Sequence, residues 1–319
     1  MFLPQRHKGT EVTTDSRNPY GKAVRTMKRK IDVHSNLQLI FFALPALLLI
    51  ITMSELPFLM NFRYSFTKWS GLAKTPVWIG LQNYLVALKD PNFRNSLLFT
   101  FKYTIWVVIL TNVTALALAL VLDGPLKLRN LFRTVFFMPN VIGLIIIGFI
   151  WRFIFTRGFD AFYSLTKLPI FSWSWLGDHH LAWISLVLVA VWQSVGYMMV
   201  IYIAGLQTIP QAVLESAALD GAMGLRKFFA ITLPLMMPSV TICFFLTLAN
   251  NLKVFDLVYA LTGGGPGTST TSISVNIYRE SFQASRYGYG TAQAVLFFLI
   301  ILAVTVIQLR IFKRREVEL

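Results

Sequence analysis

Chemically reactive residues are scarce in this sequence. Its 319 residues include one cysteine, four histidines and only 13% charged side chains. The single cysteine, Cys243, can form neither an internal disulfide nor a multi-cysteine metal site. The sequence also lacks the glycine-rich GxxxxGK(S/T) phosphate loop and the GxSxG, HExxH and CxxC patterns of familiar enzymes. We therefore expect this chain to be no enzyme and to bind no metal and no cofactor.

Hydrophobic residues, by contrast, make up 55% of the chain, and phenylalanine alone occurs 27 times. A membrane-spanning helix needs about 20 predominantly apolar residues to cross the hydrocarbon core. Runs of this kind occur at residues 37–58, 97–122, 131–155, 181–206, 228–261 and 291–312. The sequence thus predicts an all-α fold, a polytopic membrane protein with six transmembrane helices.

The net charge of +15 would suggest nucleic acid as a partner if the basic residues formed one soluble surface. Instead, seventeen Lys and Arg residues lie at the termini or on the same predicted side as the termini, against eleven on the other side, with Lys253 inside the fifth run. This excess predicts that both termini are cytoplasmic, N-in and C-in. We expect an N-terminal tail at 1–36, a membrane domain at 37–315 and a C-terminal tail at 316–319.

A polar segment at residues 207–229 separates the fourth and fifth apolar runs on the predicted cytoplasmic side. Thr208 and Gln211 fit a capping box, so we expect a short helix to begin there. Gly221 and Gly224 allow the chain to reverse with positive φ before a second helix begins near Leu225. By shape alone, the segment also fits an amphipathic helix that rests on the membrane surface.

The loop reads ESAALDGA at residues 215–222, followed by a phenylalanine, an Ile-x-Leu-Pro stretch and a further proline. This order resembles the EAA loop of binding-protein-dependent ABC importer permeases, with Ser216 where that family usually has alanine. The resemblance implies a type I ABC importer permease fold, in which this loop is a coupling helix that docks on a cytoplasmic ATPase. By position, Glu215 would be the polar anchor and Gly221 the turn. The matching positions are Glu215, Ser216, Ala217, Ala218, Asp220, Gly221 and Ala222, of which Ala217 and Ala218 would form the close-packing face.

Three further segments, at residues 78–93, 136–155 and 254–270, are similar to the carbohydrate subfamily of these permeases, the maltose-transporter type. The resemblance implies a second, different permease subunit, two ATPase subunits that hold ATP and Mg, and an extracytoplasmic solute-binding protein. It also implies a sugar substrate and a place in the bacterial cytoplasmic membrane. The last of the three segments contains a turn at Gly263, Gly264 and Gly265, which we call the glycine turn. This turn would be a candidate contact for the binding protein.

Polar and aromatic side chains inside the apolar runs are candidates for the substrate path, because such groups usually face a cavity or a partner. They are Asn140, Trp192, Gln193, Tyr197, Asn250, Asn251, Lys253 and Asp256. Lys253 and Asp256 are three residues apart, so on a continuous helix they could pair. The alternative is that these two form a structural ion pair and that Trp192 and Tyr197 only pack between helices.

Other classes of function remain as alternatives. An ABC permease for glycerol phosphate, a polyamine or an amino acid is the main one. A secondary transporter usually has an internal repeat, and none is evident. A membrane-embedded enzyme would need a polar cluster at one depth, whereas the polar residues are spread over several runs.

Overall fold

The computed structural model describes residues 33–314, with side chains from residue 42 onward. It separates into a first unit, residues 1–58, and a second unit, residues 59–319. Most of the predicted tail at 1–36, and the whole of 316–319, lie outside the described residues. The described part of the first unit is helical, with α1 (Val33–Ile50) followed by a π-turn at Ile51–Glu55.

From residue 56 onward the chain is mainly helical, with one small hairpin. The hairpin pairs β1 (Thr67–Lys68) and β2 (Val77–Trp78) in antiparallel fashion. The helices are α2 (Leu56–Tyr64), α3 (Gln82–Lys89), α4 (Pro91–Leu122), α5 (Arg129–Val141), α6 (Leu144–Phe153), α7 (Phe159–Thr166), α8 (His179–Gln207), α9 (Gln211–Leu219), α10 (Gly224–Lys227), α11 (Leu233–Leu235), α12 (Met237–Leu252), α13 (Asp256–Leu261), α14 (Ile273–Tyr278) and α15 (Tyr287–Lys313).

Carboxylate caps begin the two longest helices. The Asp90 side chain accepts the Asn92 N–H at 2.8 Å, and Pro91 occupies the first turn of α4, where its missing N–H costs nothing. The Asp178 carboxylate accepts the N–H groups of His180 and Leu181 at the start of α8. These bonds, above all the one from Leu181, hold the pKa of the Asp178 carboxyl below its usual value.

Four helices in the described residues are long and apolar enough to cross a membrane, namely residues Phe42–Tyr64 and the helices α4, α8 and α15. Two helix pairs meet the same test together, but each pair is sharply bent. Residues Arg129–Val141 and Leu144–Thr166 meet at 97°, and Gly224–Leu235 and Met237–Leu252 meet at 73°. The prediction of six spans therefore corresponds to counting each bent pair as one span.

Proline accounts for the two bends. Pro139 lies near the end of α5, and Gly143 then adopts an extended conformation before α6. Pro234 and Pro238 lie on either side of the second bend. Proline removes a backbone donor and clashes with the preceding turn, so a helix kinks or ends at these positions.

The prediction of one continuous fifth span over 228–261 was wrong at its end. Helix α12 stops at Leu252, Phe255 has φ −127° and ψ −61°, and α13 is a separate helix. Leu257, Val258 and Leu261 of α13 are buried in the protein core with side chains from α4, α6 and α8. A run of apolar residues shows that a segment is hydrophobic, but it does not show whether lipid or protein surrounds that segment. A helix buried in the protein core and a helix in lipid therefore give the same sequence pattern.

Two apolar clusters lie at different positions along helices α4 and α8 of the second unit. The first joins Tyr103 of α4 with Leu186 of α8, and the second joins Leu122 of α4 with Ile203 of α8, so these helices run in the same direction. The second cluster also contains Phe312 of α15. We call this end the loop end, and the end with the β1–β2 hairpin the hairpin end.

The crossing of α5 and α8 depends on Gly196. A Cβ there would lie 1.9 Å from the Phe136 carbonyl oxygen, closer than real contacts allow. We expect Gly196→Ala to force the helices apart and lower the free energy of unfolding by about 1–3 kcal/mol. Gly143→Ala is the matched control, because its Cβ meets nothing within 4 Å. Thermal unfolding in detergent measures both, and equal melting temperatures would contradict this packing.

Candidate functional site

A cavity of about 330 Å³ lies among α4, α5, α6, α8, α12 and α13, and we call it the central cavity. Seven of the eight path candidates line it, namely Asn140, Gln193, Tyr197, Asn250, Asn251, Lys253 and Asp256. They come from three segments that are far apart in sequence, at residue 140, residues 193–197 and residues 250–256. Only the packing of α5, α8 and α12 brings their polar groups to one space.

Trp192 is the candidate that the structure places elsewhere. Its ring packs edge-on against Trp151 of α6, with 5.5 Å between ring centroids. Gln193 and Tyr197 are four residues apart and share one side of α8, whereas Trp192 is about 100° around the helix from Gln193. Trp192 therefore belongs to the contact between α6 and α8 and does not line the central cavity, and its place on the substrate path stays a prediction.

The amides of the central cavity are partly tied to the protein. Asn251 donates to the Thr247 carbonyl at 2.8 Å, which leaves its own side-chain oxygen without a partner in residues 42–314. Gln193 donates to the Asn140 side-chain oxygen at 3.4 Å, a long hydrogen bond. Asn250 is exposed to the cavity. The cavity thus offers both amide donors and amide acceptors.

Lys253 and Asp256 do not form the pair that a continuous helix predicted. Within the described residues 42–314, no ion pair joins them. Lys253 caps the C-terminus of α12, and Asp256 begins α13. A cation is favoured at a helix C-terminus and an anion at an N-terminus, so each charge is stabilised by a helix end. Both side chains stay exposed beside the cavity.

Sequence reasoning missed several residues that line the cavity, including Tyr103, Ser194 and Thr247. Tyr103 lies within the long apolar helix α4 and is 1% exposed. Its position on the cavity wall depends on which side of α4 faces α8. The periodicity of the sequence does not predict that orientation. Phe255 also lines the cavity, although the sequence analysis included it only within the segment at residues 254–270.

A buried polar network adjoins the central cavity. The Tyr202 hydroxyl donates to the Asn112 side-chain oxygen at 2.7 Å, and the Asn112 amide donates to the Thr247 hydroxyl at 3.0 Å. The same amide reaches the Val108 carbonyl at 2.8 Å. These bonds connect α4, α8 and α12. Because Thr247 also lines the cavity, the network links the cavity wall to the core.

The loop at 207–229 is a helical hairpin closed by a glycine. Gly221 has φ +75°, and its N–H donates to the Ala218 carbonyl at 3.1 Å. The Ala222 N–H donates to the Ala217 carbonyl at 2.9 Å. This pair of bonds is a Schellman motif, which ends α9 and satisfies its last carbonyls. Gly224 also has positive φ, at +53°, just before α10 continues.

The predicted capping box at the start of this loop was wrong. Thr208 still has helical dihedral angles, and its hydroxyl donates back to the Gly205 carbonyl of α8 at 2.8 Å. Pro210 is the residue that precedes α9, and no side chain caps it. The Thr208 hydroxyl therefore bonds the end of α8 and is not available to cap the N-terminus of α9.

The surface of the loop combines acidic and apolar groups. Glu215, Ser216, Ala218 and Asp220 are exposed, whereas Ala217 is 5% exposed and faces this chain. Large apolar side chains surround the turn in unusually exposed positions, at 89% for Leu219, 73% for Met223 and 77% for Leu225. Such apolar groups beside a polar rim are typical of a protein interaction site.

The glycine turn is anchored by side chains. Arg279 donates to the Gly263 carbonyl, and the Thr271 hydroxyl donates to the Gly264 carbonyl. Gly264 is buried and has φ +85°, while Gly263 and Gly265 are half-buried. The exposed part of this turn is at residues 267–269, next to the three predicted glycines.

Comparison with known proteins identifies the family. The family described as binding-protein-dependent transport system inner membrane component matches residues 111–317, more than half of the chain. The chain therefore belongs to this family of inner-membrane transport components. The predicted family resemblance is confirmed.

Two relatives and one solved structure are similar over nearly their whole length. The probable starch degradation products transport system permease protein AmyD of Thermoanaerobacterium thermosulfurigenes is 40% identical over 280 residues, 87% of this chain and 94% of AmyD. The multiple sugar-binding transport system permease protein MsmF of Streptococcus mutans is 33% identical over 276 residues, 86% and 95% of the two chains. A chain of the bacterial ABC transporter that imports the acidic polysaccharide alginate has a TM-score of 0.75 at 20% identity, over 89% of this chain and 97% of that one. This structural likeness confirms the fold.

We expect the cavity amides to contribute to transport. Asn251→Leu should lower the uptake rate about five- to tenfold, because it removes from the cavity wall one hydrogen-bonding group worth about 1 kcal/mol or more to a polar solute. Asn251→Gln retains the amide and should retain most of the uptake. Uptake by cells with equal amounts of each variant in the membrane is the measurement. Unchanged uptake with Asn251→Leu would remove this residue from the path.

Proposed function

We propose that this chain is the permease subunit of an ATP-driven, binding-protein-dependent importer of sugars or oligosaccharides. The observation that carries this proposal is the amide-lined central cavity. Each sugar hydroxyl both donates and accepts a hydrogen bond, and amides offer both functions in one side chain. The names of AmyD and MsmF, which refer to starch degradation products and to multiple sugars, support the same substrate class.

The charges of the cavity favour a neutral substrate over an anionic one. Lys253 and Asp256 both line it, so a phosphate group would meet a carboxylate as well as an ammonium. An anion site would instead concentrate basic groups or helix N-termini around the ligand. A neutral sugar can use both groups as hydrogen-bond partners. The presence of both charges therefore favours a sugar over glycerol phosphate as the substrate.

The loop at 207–229 would connect this cavity to a cytoplasmic ATPase. We infer that Glu215 and the exposed apolar rim of Leu219, Met223 and Leu225 dock on the ATPase surface. A carboxylate at such an interface needs a basic partner, because unpaired burial of a charge is costly. ATP and Mg would be held by the ATPase subunits, and this chain would supply only the docking surface.

A continuous packed route leads from the loop to the cavity. Ile209 and Leu214 of the loop pack in the same apolar cluster as Val240 and Cys243 of α12. Thr247 lies four residues beyond Cys243, and its hydroxyl donates to the Cys243 carbonyl at 2.7 Å. Close-packed elements transmit displacement, so movement of the loop would shift the cavity wall.

In this arrangement the loop end is cytoplasmic and the hairpin end faces outward. The exposed residues 267–269 of the glycine turn would then meet the solute-binding protein, with Gly263, Gly264 and Gly265 as the anchored base of that contact. A second permease subunit would complete the path. We propose a heterodimer with a related chain, in which the two subunits are related by a pseudo-two-fold axis.

Co-purification tests the assembly directly. The tagged chain, extracted in mild detergent from native membranes, should bring down an ATPase, a second permease and a solute-binding protein identified by mass spectrometry. Binding assays on that last protein with a panel of neutral sugars would then identify the substrate. Recovery of the chain alone, with no ATPase captured even after crosslinking from position 215, would overturn the proposal.

Substitutions in the loop should uncouple transport without unfolding the protein. Gly221→Pro should abolish uptake, because proline cannot adopt the φ of +75° and lacks the N–H that bonds Ala218. Glu215→Ala should also abolish uptake by removing the anchor. Gln211→Ala, an exposed change on the same helix, is the matched control. Uptake and membrane insertion are measured together, and normal uptake by Glu215→Ala at normal abundance would contradict the docking role.

A further inference from the structure

A connected series of aromatic rings leads from the central cavity to the hairpin end. We call it the aromatic row, and it consists of Phe255, Tyr259, Tyr278, Phe282, Tyr287, Trp69 and Tyr64. Neighbouring ring centroids lie between 4.4 and 6.1 Å apart along the whole row. Phe255 lines the cavity, and Trp69 directly follows strand β1. The row thus has one end in the cavity and one end at the hairpin.

The rings of the row remain accessible, unlike core aromatics. Phe282 is 66% exposed and Tyr259 is 37% exposed, and the other five rings are half-buried. By contrast, the stacked pair Phe99 and Tyr103 is 8% and 1% exposed. All seven rings of the row therefore keep surface that a ligand could contact.

Polar groups along the row are available to a ligand. The hydroxyls of Tyr64, Tyr259 and Tyr278 have no hydrogen-bond partner among residues 42–314, whereas the Tyr287 hydroxyl donates to Asn61 at 3.2 Å. Tyrosines that serve only packing usually bond this group when buried. The hydroxyls of the first three can therefore bond a polar ligand that lies on the rings.

Two arginines beside the row make contacts within the chain. Arg279, next to Tyr278, donates to the Gly263 carbonyl and to the Thr271 hydroxyl. Arg286, next to Tyr287, pairs with Glu280 and lies over the Tyr289 ring. With both side chains held in this way, the row presents aromatic faces and hydroxyls, a chemistry that suits a ligand with apolar and hydroxylated faces.

We propose that the aromatic row is a track of weak sugar-binding subsites that guides a neutral oligosaccharide between the hairpin end and the central cavity. This inference rests on the proposed sugar transport and adds the route and the preference for chains. The C–H face of a pyranose ring packs on the electron-rich face of an aromatic ring, while its hydroxyls bond the tyrosines. Each subsite is shallow, so a chain can shift from ring to ring.

Two other occupants would explain exposed aromatics. Interfacial rings of membrane proteins form a belt at one depth, but this row starts at the polar central cavity. A second permease subunit could also cover the row. Continuity with the cavity favours the sugar chain, and the test below separates the three.

The test compares chain lengths in the complete transporter. Maltose and maltohexaose are the probes, with reconstituted transporter and its binding protein. Phe282→Ala and Tyr278→Ala should each lower kcat/KM for maltohexaose about five- to tenfold and for maltose less than twofold. Tyr278→Phe keeps the ring and should retain more than half of the maltohexaose value. Phe149→Ala, an exposed ring on α6 outside the row, is the matched control and should leave the ratio of the two sugars unchanged.

The outcomes separate this inference from the proposed function. Equal losses for both sugars, or no loss for either, would overturn the aromatic row while sugar transport stands. Loss of the second permease from the purified Phe282→Ala complex would show a subunit contact and overturn it as well. If the wild-type transporter carries neither probe, the row is overturned for glucose chains, and the co-purified binding protein decides the substrate class independently.

Discussion

The hydrogen bonds of Asn112 hold together the three helices on which the central cavity depends. Its side chain accepts from Tyr202 of α8 and donates to Thr247 of α12, while Asn112 itself lies in α4 and is 2% exposed. A buried polar group that loses its partner costs about 1–3 kcal/mol, so the three helices keep one relative rotation. That rotation directs the amides of α8 and α12 into one space, and it places Thr247 both in the network and on the cavity wall.

Interrupted helices supply the polar surface of the cavity. Asn140 lies just before the bend between α5 and α6, and residues 250–256 surround the end of α12. Irregular backbone at membrane depth is tolerated where it is buried in protein or lines a cavity, and both interruptions meet that condition. The helix ends also stabilise Lys253 and Asp256 separately, which leaves both charges directed at the cavity instead of at each other.

The two ends of the second unit differ in how the chain is exposed. At the loop end, a hydrogen-bonded Schellman turn at Gly221 presents leucine and methionine at the surface, as expected of a docking surface for a folded partner. At the hairpin end, the aromatic row extends to the cavity. The first surface suits the transmission of force, and the second suits many weak contacts with a ligand in motion. Packing through α12 connects them.

The sequence by itself determined the features that depend on neighbours within a few positions. These features are the apolar runs, the positive φ at Gly221 and Gly224, and the polar residues of α8 and α12. The order of residues 215–222 also determined the family. Tertiary structure alone decided that α12 ends at Leu252, that Thr208 bonds backwards and that Trp192 turns away from the cavity. It also placed Asn112 and the aromatic row, because those features depend on which helices meet, and contacts between residues more than a hundred positions apart leave no periodic signal in the chain.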